Sequence, residues 1–92
     1  MTDDDSNQES LLEFPCDIQV KAMGRKDDSF RDHVLAIVRR HVSDATAIAV
    51  MVRPSKGDKY ISVSCHFRAE SRKQLDNIYQ DFTADSRVLV AL

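Results

Sequence analysis

Residues 53–64, with the sequence RPSKGDKYISVS, predict a β-hairpin. Proline, serine, glycine and aspartate form the turn, and Gly57 is the residue expected to adopt a positive φ angle. From Tyr60 onward polar and apolar residues alternate, which is the pattern of a half-buried strand. Because a strand–helix unit flanks this hairpin on each side, the chain is restricted to the order βαββαβ.

Periodicity predicts four strands and two helices around this hairpin. Alternation of apolar residues places the strands at residues 16–23, 47–53, 60–69 and 87–92. Gly24 is expected to end the first strand. Apolar residues at helical spacing predict helices over residues 29–42 and from residue 71 onward.

Capping residues stand at the start of each predicted helix. Asp28 or Ser29 is expected to cap the first helix, and Ser29 with Asp32 resembles a capping box. Ser71 and Gln74 have the spacing of a complete capping box at the second helix. Both helices are therefore expected to begin at side chains that accept bonds from their first turn.

One apolar face on each strand needs a cover, and two amphipathic helices supply it, which predicts an α+β two-layer sandwich. Right-handed crossovers favour the ferredoxin-like arrangement, a four-stranded antiparallel sheet of order 4-1-3-2 with both helices on one face. Strands two and four then form the edges. The predicted core consists of Ile18, Val20, Val34, Ile37, Val38, Val50, Ile61, Val63, Phe67, Leu75, Ile78, Phe82 and Val90.

Length and charge predict one domain, residues 11–92, behind a disordered acidic tail, residues 1–10. A chain of 92 residues has no room for a second core. Residues 1–13 carry five acidic and no basic side chains, whereas residues 14–92 carry 13 basic and 10 acidic ones. The tail is either a solvated segment or one that folds back on a basic patch and competes with an anionic partner.

The chain has neither a basic leader nor an apolar run of the ~20 residues that a membrane span requires. We therefore expect a cytoplasmic protein with no membrane partner.

Several short motifs in a fixed order resemble the YbeD-like family of small bacterial proteins of unknown function. They are LLEFP at residues 11–15, KAMG at residues 21–24, the hairpin segment itself and VLVAL at residues 88–92. The resemblance implies a ferredoxin-like fold similar to ACT regulatory domains. Such domains pair through sheet edges or helices and bind small effectors, often amino acids, at their interfaces. The resemblance implies no catalytic residues.

No catalytic, metal or cofactor site is predicted. His33, His41 and His66 lack the spacing of metal ligands. Cys65 and His66 are consecutive in a strand, so their side chains point to opposite faces and cannot form a nucleophile pair. Acylphosphatases use this fold with a phosphate-binding loop, but here the loop at residues 24–28 has one glycine and two carboxylates. We therefore expect no enzymatic activity.

The favoured hypothesis is a non-enzymatic regulatory or adaptor module that binds a protein or a small effector and forms homo-oligomers through a sheet edge. Strand two is the favoured edge, since Ala47, Ala49 and Met51 give it no outward charge, and Arg53 would orient an acidic group of the partner. The possible binding surface consists of Lys21, Arg53, Lys56, Lys59, Tyr60, His66, Arg68 and Arg87.

The alternative hypothesis is weak single-stranded nucleic-acid binding on the open face of the sheet. Modules of that kind stack bases on two or three exposed aromatic side chains, and this face offers Tyr60 alone. A nucleic-acid partner is therefore the less favoured of the two hypotheses.

Overall fold

A computed structural model describes residues 12–92, so the predicted tail lies outside the described residues. The elements follow the predicted order: β1 (Cys16–Arg25), α1 (Phe30–Arg39), β2 (Ala49–Pro54), β3 (Tyr60–Ala69), α2 (Arg72–Ala84) and β4 (Val90–Ala91). No helix within these residues is both long enough and apolar enough to cross a bilayer.

The four strands form one antiparallel sheet of order β2-β3-β1-β4, which confirms the predicted ferredoxin-like topology. The long central pair β1–β3 runs from Cys16 opposite Ala69 to Arg25 opposite Tyr60. β2 and β4 occupy the two edges, as predicted. Both edges therefore have one side that no other strand within residues 12–92 covers.

The core lies between the sheet and the two helices. Twelve of the thirteen predicted core residues are buried or pack against the buried cluster, with Ile18, Val50 and Ile61 partly buried at its border. Buried apolar residues that the core prediction left out are Ala22, Phe30, Val42, Cys65 and Ala69.

The prediction that Val90 is a core residue is wrong. β4 is only two residues long, and the chain before it turns at 85–88, where the backbone N–H of Val88 donates to the carbonyl of Asp85. Val88 and Ala91 pack against the core, whereas Val90 is 44% exposed and Leu92 is 65% exposed. Because the segment is irregular before residue 90, strict alternation counted from Val88 gives the wrong face.

Gly24 does not end β1; it lies inside the strand, opposite Ile61, and the strand continues to Arg25. A Cβ atom built at Gly24 would lie 2.6 Å from the carbonyl oxygen of Arg87 and 2.6 Å from Cζ of Phe30. Glycine is required here by close packing rather than by a break in the strand.

The two helix starts differ. Ser71 Oγ accepts from the backbone N–H of Gln74 at 3.1 Å, as predicted, but Gln74 Oε1 accepts from the backbone N–H of Glu70 at 2.8 Å rather than from that of Ser71, so the second bond of the predicted capping box is shifted by one residue. Ser29 occupies the N-cap position of α1, but its side chain makes no bond to the helix. Its hydroxyl donates instead to the carboxylate of Asp27, which also accepts the Ser29 backbone N–H, both at 2.7 Å. The predicted Ser29–Asp32 capping box is therefore not formed.

Helix α1 ends at Arg39 rather than at residue 42, because the backbone N–H groups of His41 and Val42 bond to carbonyls three residues earlier. β2 begins at Ala49, two residues later than predicted, and includes Pro54, which an edge strand tolerates. In the hairpin turn Gly57 has a φ of 85°, as predicted, and Asp58 has a φ of 62°.

Candidate functional site

The face of the sheet turned away from the helices is called the open face. It is defined by strand alternation and pairing, because residues opposite each other in the register point to the same side. Its residues are Asp17, Gln19, Lys21, Met23 and Arg25 of β1, Ala49, Met51 and Arg53 of β2, Tyr60, Ser62, Ser64, His66 and Arg68 of β3, and Val90 of β4.

Five of the predicted binding residues share this open face. Lys21, Arg53, Tyr60, His66 and Arg68 all lie on it, because period-two alternation in β1, β2 and β3 holds as predicted. Within the face Arg68 is already engaged, since Nη1 contacts Oδ1 of Asp17 at 3.3 Å and Nη2 donates to the carbonyl of Pro15 at 3.2 Å. This arrangement leaves Lys21 and Arg53 as the predicted cations available to a ligand on the face.

The other three predicted binding residues lie elsewhere. Lys56 and Lys59 are exposed in the hairpin turn, beyond the end of the open face at Tyr60. Arg87 follows α2, and its guanidinium lies 5.7 Å from the ring centroid of Phe30, on the helical side of the sheet. It also donates to Ser29 Oγ at 2.8 Å and stands 3.6 Å from Asp27. Arg87 therefore braces the start of α1 instead of facing a ligand with Lys21 and Arg53.

The contacts around the start of α1 favour the ionised forms of Asp27 and Lys26. The hydroxyl and backbone N–H of Ser29 hold the pKa of Asp27 below its usual value, and the charge of Arg87 acts in the same direction. Lys26, on the same loop, pairs with Asp58 of the hairpin turn at 2.6 Å, which raises the pKa of the lysine. These contacts tie the β1–α1 loop to the β2–β3 turn and to the segment after α2.

The edge strand β2 carries little charge. Residues 45–52 have no ionisable side chain, and Arg53 is the first charge along the strand. Met51 on the open face is 55% exposed, and Val52 on the helical face is 39% exposed. Exposed edge strands are usually protected by charge, bulges or a cover, and β2 has only Arg53 and Pro54 at one end.

Exposed apolar side chains concentrate at the sheet edges. Of the seven large hydrophobic side chains that are exposed within residues 12–92, five belong to the edge strands or flank them: Met51, Val52, Leu89, Val90 and Leu92. They form two separate groups at opposite edges of the sheet, one at β2 and one at β4.

An open cleft of about 690 Å³ lies where the chain passes from residue 46 into β2. Its polar lining comes from Asp17, Gln19, Thr46, His66 and Arg68. A carboxylate and a guanidinium therefore stand on the same wall of the cleft, and they are paired with each other.

Two histidines connect the helices. His33 Nε2 lies 2.8 Å from Asp85 Oδ2, and His41 Nε2 lies 2.7 Å from Asp81 Oδ2. Each pair joins α1 or its C-terminal turn to the last turn of α2 or its C-cap, and no Ser, Thr or Cys side chain within residues 12–92 is bonded to either histidine. These pairs are positioned to hold the helices together.

Hydrogen bonding favours the ionised carboxylate in both histidine–aspartate pairs. The bond from His41 lowers the pKa of Asp81, with a further contribution from Arg40. Burial opposes ionisation of Asp85, but the bonds from His33 and from the backbone of Arg87 outweigh it, and the pKa of Asp85 is also lowered.

The two cysteines differ in burial. Cys65 is buried in the core, and burial raises its pKa to about 11. Cys16 is half-buried, and both cysteines are free. Among residues 12–92, no group of three or more histidine, cysteine, aspartate or glutamate side chains is arranged to hold a metal ion.

Sequence reasoning missed three members of the surface. Arg25 and Met23 extend the open face at one end, and Val90 flanks them from β4. Arg25 was missed because Gly24 was interpreted as the end of the strand, and strict pairing with the ten-residue strand β3 is the signal that could have found it. Val90 was missed because the alternation was counted through an irregular segment.

Comparison with known proteins places the chain in a family. The chain is 40% identical over 87 residues to the UPF0250 protein of Paraburkholderia phytofirmans, which covers 95% of this chain and 98% of that protein. It is 41% identical over 73 residues to a UPF0250 protein of Nitrosomonas europaea, covering 79% of this chain and 84% of that protein. The solution structure of protein HP0495 from H. pylori has the same fold, with a TM-score of 0.62 at 16% identity over 88% of this chain and 85% of that one.

The family model described as "Protein of unknown function (DUF493)" matches residues 9–92. This match and the relatives above confirm the resemblance to the YbeD-like proteins that the sequence motifs indicated. The chain belongs to the DUF493, or UPF0250, family of small bacterial proteins.

Proposed function

We propose that this protein is a small non-enzymatic binding module that takes up an extended segment of a protein partner as an additional strand beside β2. The observation that carries the proposal is the uncharged edge of β2, where Met51 and Val52 are exposed on opposite faces of the same strand. An extended segment bonded to this edge would satisfy its outward backbone groups and cover both side chains.

Arg53, near the end of β2, indicates that the partner carries a negative charge at this position. Arg53 is the one charged residue of β2, and it makes no ion pair within residues 12–92. A carboxylate of the partner beside it would form a charge-assisted hydrogen bond and fix the register of the added strand. A second copy of this chain presents the same uncharged strand, so a homo-oligomer is the simplest form of the proposed interaction.

The test is to place charge on the edge. Ala49→Lys with Met51→Lys adds two lysines to the open face of β2, while the control Val90→Lys adds one lysine to the exposed part of β4. We expect the double variant to lose self-association in sedimentation velocity and to lose partners captured from a bacterial lysate. The Val90→Lys variant should keep both.

Each variant must first be shown to fold, by its circular dichroism and its unfolding midpoint. If the folded double variant associates and captures partners as the parent does, β2 is not the interface. An equal loss of self-association and partner capture in Val90→Lys would also contradict the proposal, because it would indicate that the interface is the whole open face.

Two other hypotheses from the sequence are distinguished by simple binding measurements. A small effector would bind the cleft that Asp17 and Arg68 line, so Ala49→Lys, which adds charge to this cleft, would weaken its binding, while Met51→Lys alone, outside the lining, would not. A single-stranded nucleic acid would bind the open face, and its affinity would fall steeply with salt.

A further inference from the structure

The open face carries cations that make no ion pair within residues 12–92. In and around the helical layer, Arg31, Arg40, Arg72 and Arg87 each stand within 4.0 Å of an aspartate oxygen, whereas Arg39 bonds to backbone carbonyls and Lys73 makes no ion pair within residues 12–92. On the open face, Lys21, Arg25 and Arg53 make no ion pair within residues 12–92, and Asp17 is the one carboxylate of the face. The open face therefore has a net positive charge that nothing in residues 12–92 neutralises.

These three cations lie in neighbouring rows of the sheet. Lys21 of β1 is opposite Ser64 of β3. In the next row Ser62 of β3 lies between Met23 of β1 and Arg53 of β2, and in the row after that Arg25 is opposite Tyr60. Successive rows of one sheet face are two residues apart, about 6.6 Å along the strands. Three cations without an ion pair within residues 12–92 thus stand in three consecutive rows, whose β3 residues are Ser64, Ser62 and Tyr60.

The opposite charge lies in the part of the chain before Leu12. Residues 1–11 carry Asp3, Asp4, Asp5 and Glu9 and no lysine or arginine, whereas residues 12–92 carry 13 basic and 11 acidic side chains. The segment joins the domain beside the open face, because the carbonyl of Pro15 accepts a hydrogen bond from Arg68 of that face.

The length of the segment is sufficient to reach the cations. From the row of Asp17 to the row of Lys21 is four residues of strand, about 13 Å, and to the row of Arg25 eight residues, about 26 Å. The carbonyl of Pro15 is held by Arg68 at the row of Asp17, and Asp5 precedes Pro15 by ten residues and Asp3 by twelve, which span at most about 36 to 43 Å when extended. These lengths exceed the distances to the three rows, so the chain is long enough for the aspartates to reach them.

We propose that the acidic N-terminal segment, residues 1–11, occupies the open face and pairs its carboxylates with Lys21, Arg53 and Arg25. A tethered segment acts at an effective concentration in the millimolar range, so weak exposed ion pairs are enough to bias its position. An acidic partner that uses Arg53 must displace the segment. The segment thereby acts as a built-in competitor for acidic ligands of this face.

Zero-length carbodiimide cross-linking of the full chain tests this contact. Lys21 is the only lysine on the open face, and the other lysines are Lys26, Lys56, Lys59 and Lys73. We expect intramolecular amide bonds between Lys21 and Asp3, Asp4 or Asp5, identified by mass spectrometry of the monomer. Lys21→Gln should remove them, and Lys73→Gln, which removes the same charge from α2, should leave them unchanged.

A salt series supplies the electrostatic control. From about 0.01 M to about 1 M salt the Debye length falls from about 30 Å to about 3 Å, so the yield of the Lys21 cross-link should fall severalfold. Cross-links directed mainly to Lys73, or a monomer without any Lys21 cross-link, would overturn the proposal. Cross-links found only in covalent dimers would overturn it too, since they would assign the face to a second copy.

A second measurement needs no cross-linking reagent and compares the amide resonances of the parent with those of a variant. Replacing Asp3, Asp4 and Asp5 by Asn should shift the amide resonances of Lys21, Met23 and Ser62 and leave those of α2 unchanged. Shifts confined to residues 1–11, or equal in both layers, would contradict the contact.

The two proposals are tested in separate samples, since Met51 lies in the same row of the open face as Lys21 and a lysine there would compete for the segment. The Lys21 cross-link is measured in the parent, and partner binding is compared between the parent and the variant with Ala49→Lys and Met51→Lys. Failure of either proposal is therefore visible in its own measurement.

Discussion

Because Gly24 has no Cβ atom, three parts of the chain can pack together at this position. The α-carbon of Gly24 faces the backbone carbonyl of Arg87 and the ring of Phe30, which belong to the segment after α2 and to the start of α1. A carbonyl held in a turn has little freedom to withdraw, so an added Cβ must displace the backbone.

We predict that Gly24→Ala lowers the free energy of unfolding by about 1–3 kcal/mol, the usual range for overpacking. Urea denaturation measures this change. The matched control is Gly57→Asn, where a Cβ meets nothing within 4 Å and asparagine tolerates the positive φ. The control should change stability by no more than about 0.5 kcal/mol. A harmless Gly24→Ala would mean that the Arg87 segment does not pack against β1 in this way.

At the scale of the elements, the two helices begin by different means. Helix α2 depends on its own N-cap, the bond between Ser71 Oγ and the Gln74 N–H. Helix α1 instead begins at the Asp27–Ser29 turn, which Arg87 braces from a distant part of the chain. Local sequence therefore specifies the start of α2 more completely than the start of α1.

We predict that Ser71→Ala lowers the free energy of unfolding by about 1 kcal/mol, because the Gln74 N–H loses its acceptor. Ser71→Asn keeps an acceptor at the same position and should stay within a few tenths of a kcal/mol of the parent. Equal losses from both substitutions, measured by chemical denaturation, would show that the hydroxyl does not act as a cap.

At the scale of the whole molecule, the two histidine–aspartate pairs connect α1 and its C-terminal turn to the C-terminal end of α2. A carboxyl whose pKa is lower in the folded than in the unfolded chain stabilises folding above its unfolded pKa, which is about 3.9 for aspartate. That contribution is lost as the pH falls through the lower, folded-state pKa. The lowered pKa values of Asp81 and Asp85 therefore predict destabilisation in acid.

The expected signature is a stability difference between the parent and Asp81→Asn that is large at about pH 6 and closes as the pH falls below about 3.9. Thermal or urea unfolding at several pH values measures it. Asp44→Asn is the control, since Asp44 is exposed and makes no ion pair within residues 12–92. A difference for Asp81→Asn that is constant across this range would contradict the ionised pair.

The sequence by itself determined the types and order of the elements, the strand order and twelve of the thirteen predicted core residues. It also determined that Lys21, Arg53, Tyr60, His66 and Arg68 share one face. These features follow from periodicity along a single element, which depends on neighbouring residues only.

Only the tertiary structure decided the role of Gly24, the face of Val90, the position of Arg87 and the partners of His33 and His41. Each of these depends on contacts between residues far apart in the sequence. Arg87 is a cation after a helix in the sequence, and it becomes a brace for α1 because the fold places the ring of Phe30 and the hydroxyl of Ser29 beside it. Sequence periodicity of two or 3.6 residues does not specify such long-range contacts, because they depend on how the sheet and the helices pack against each other.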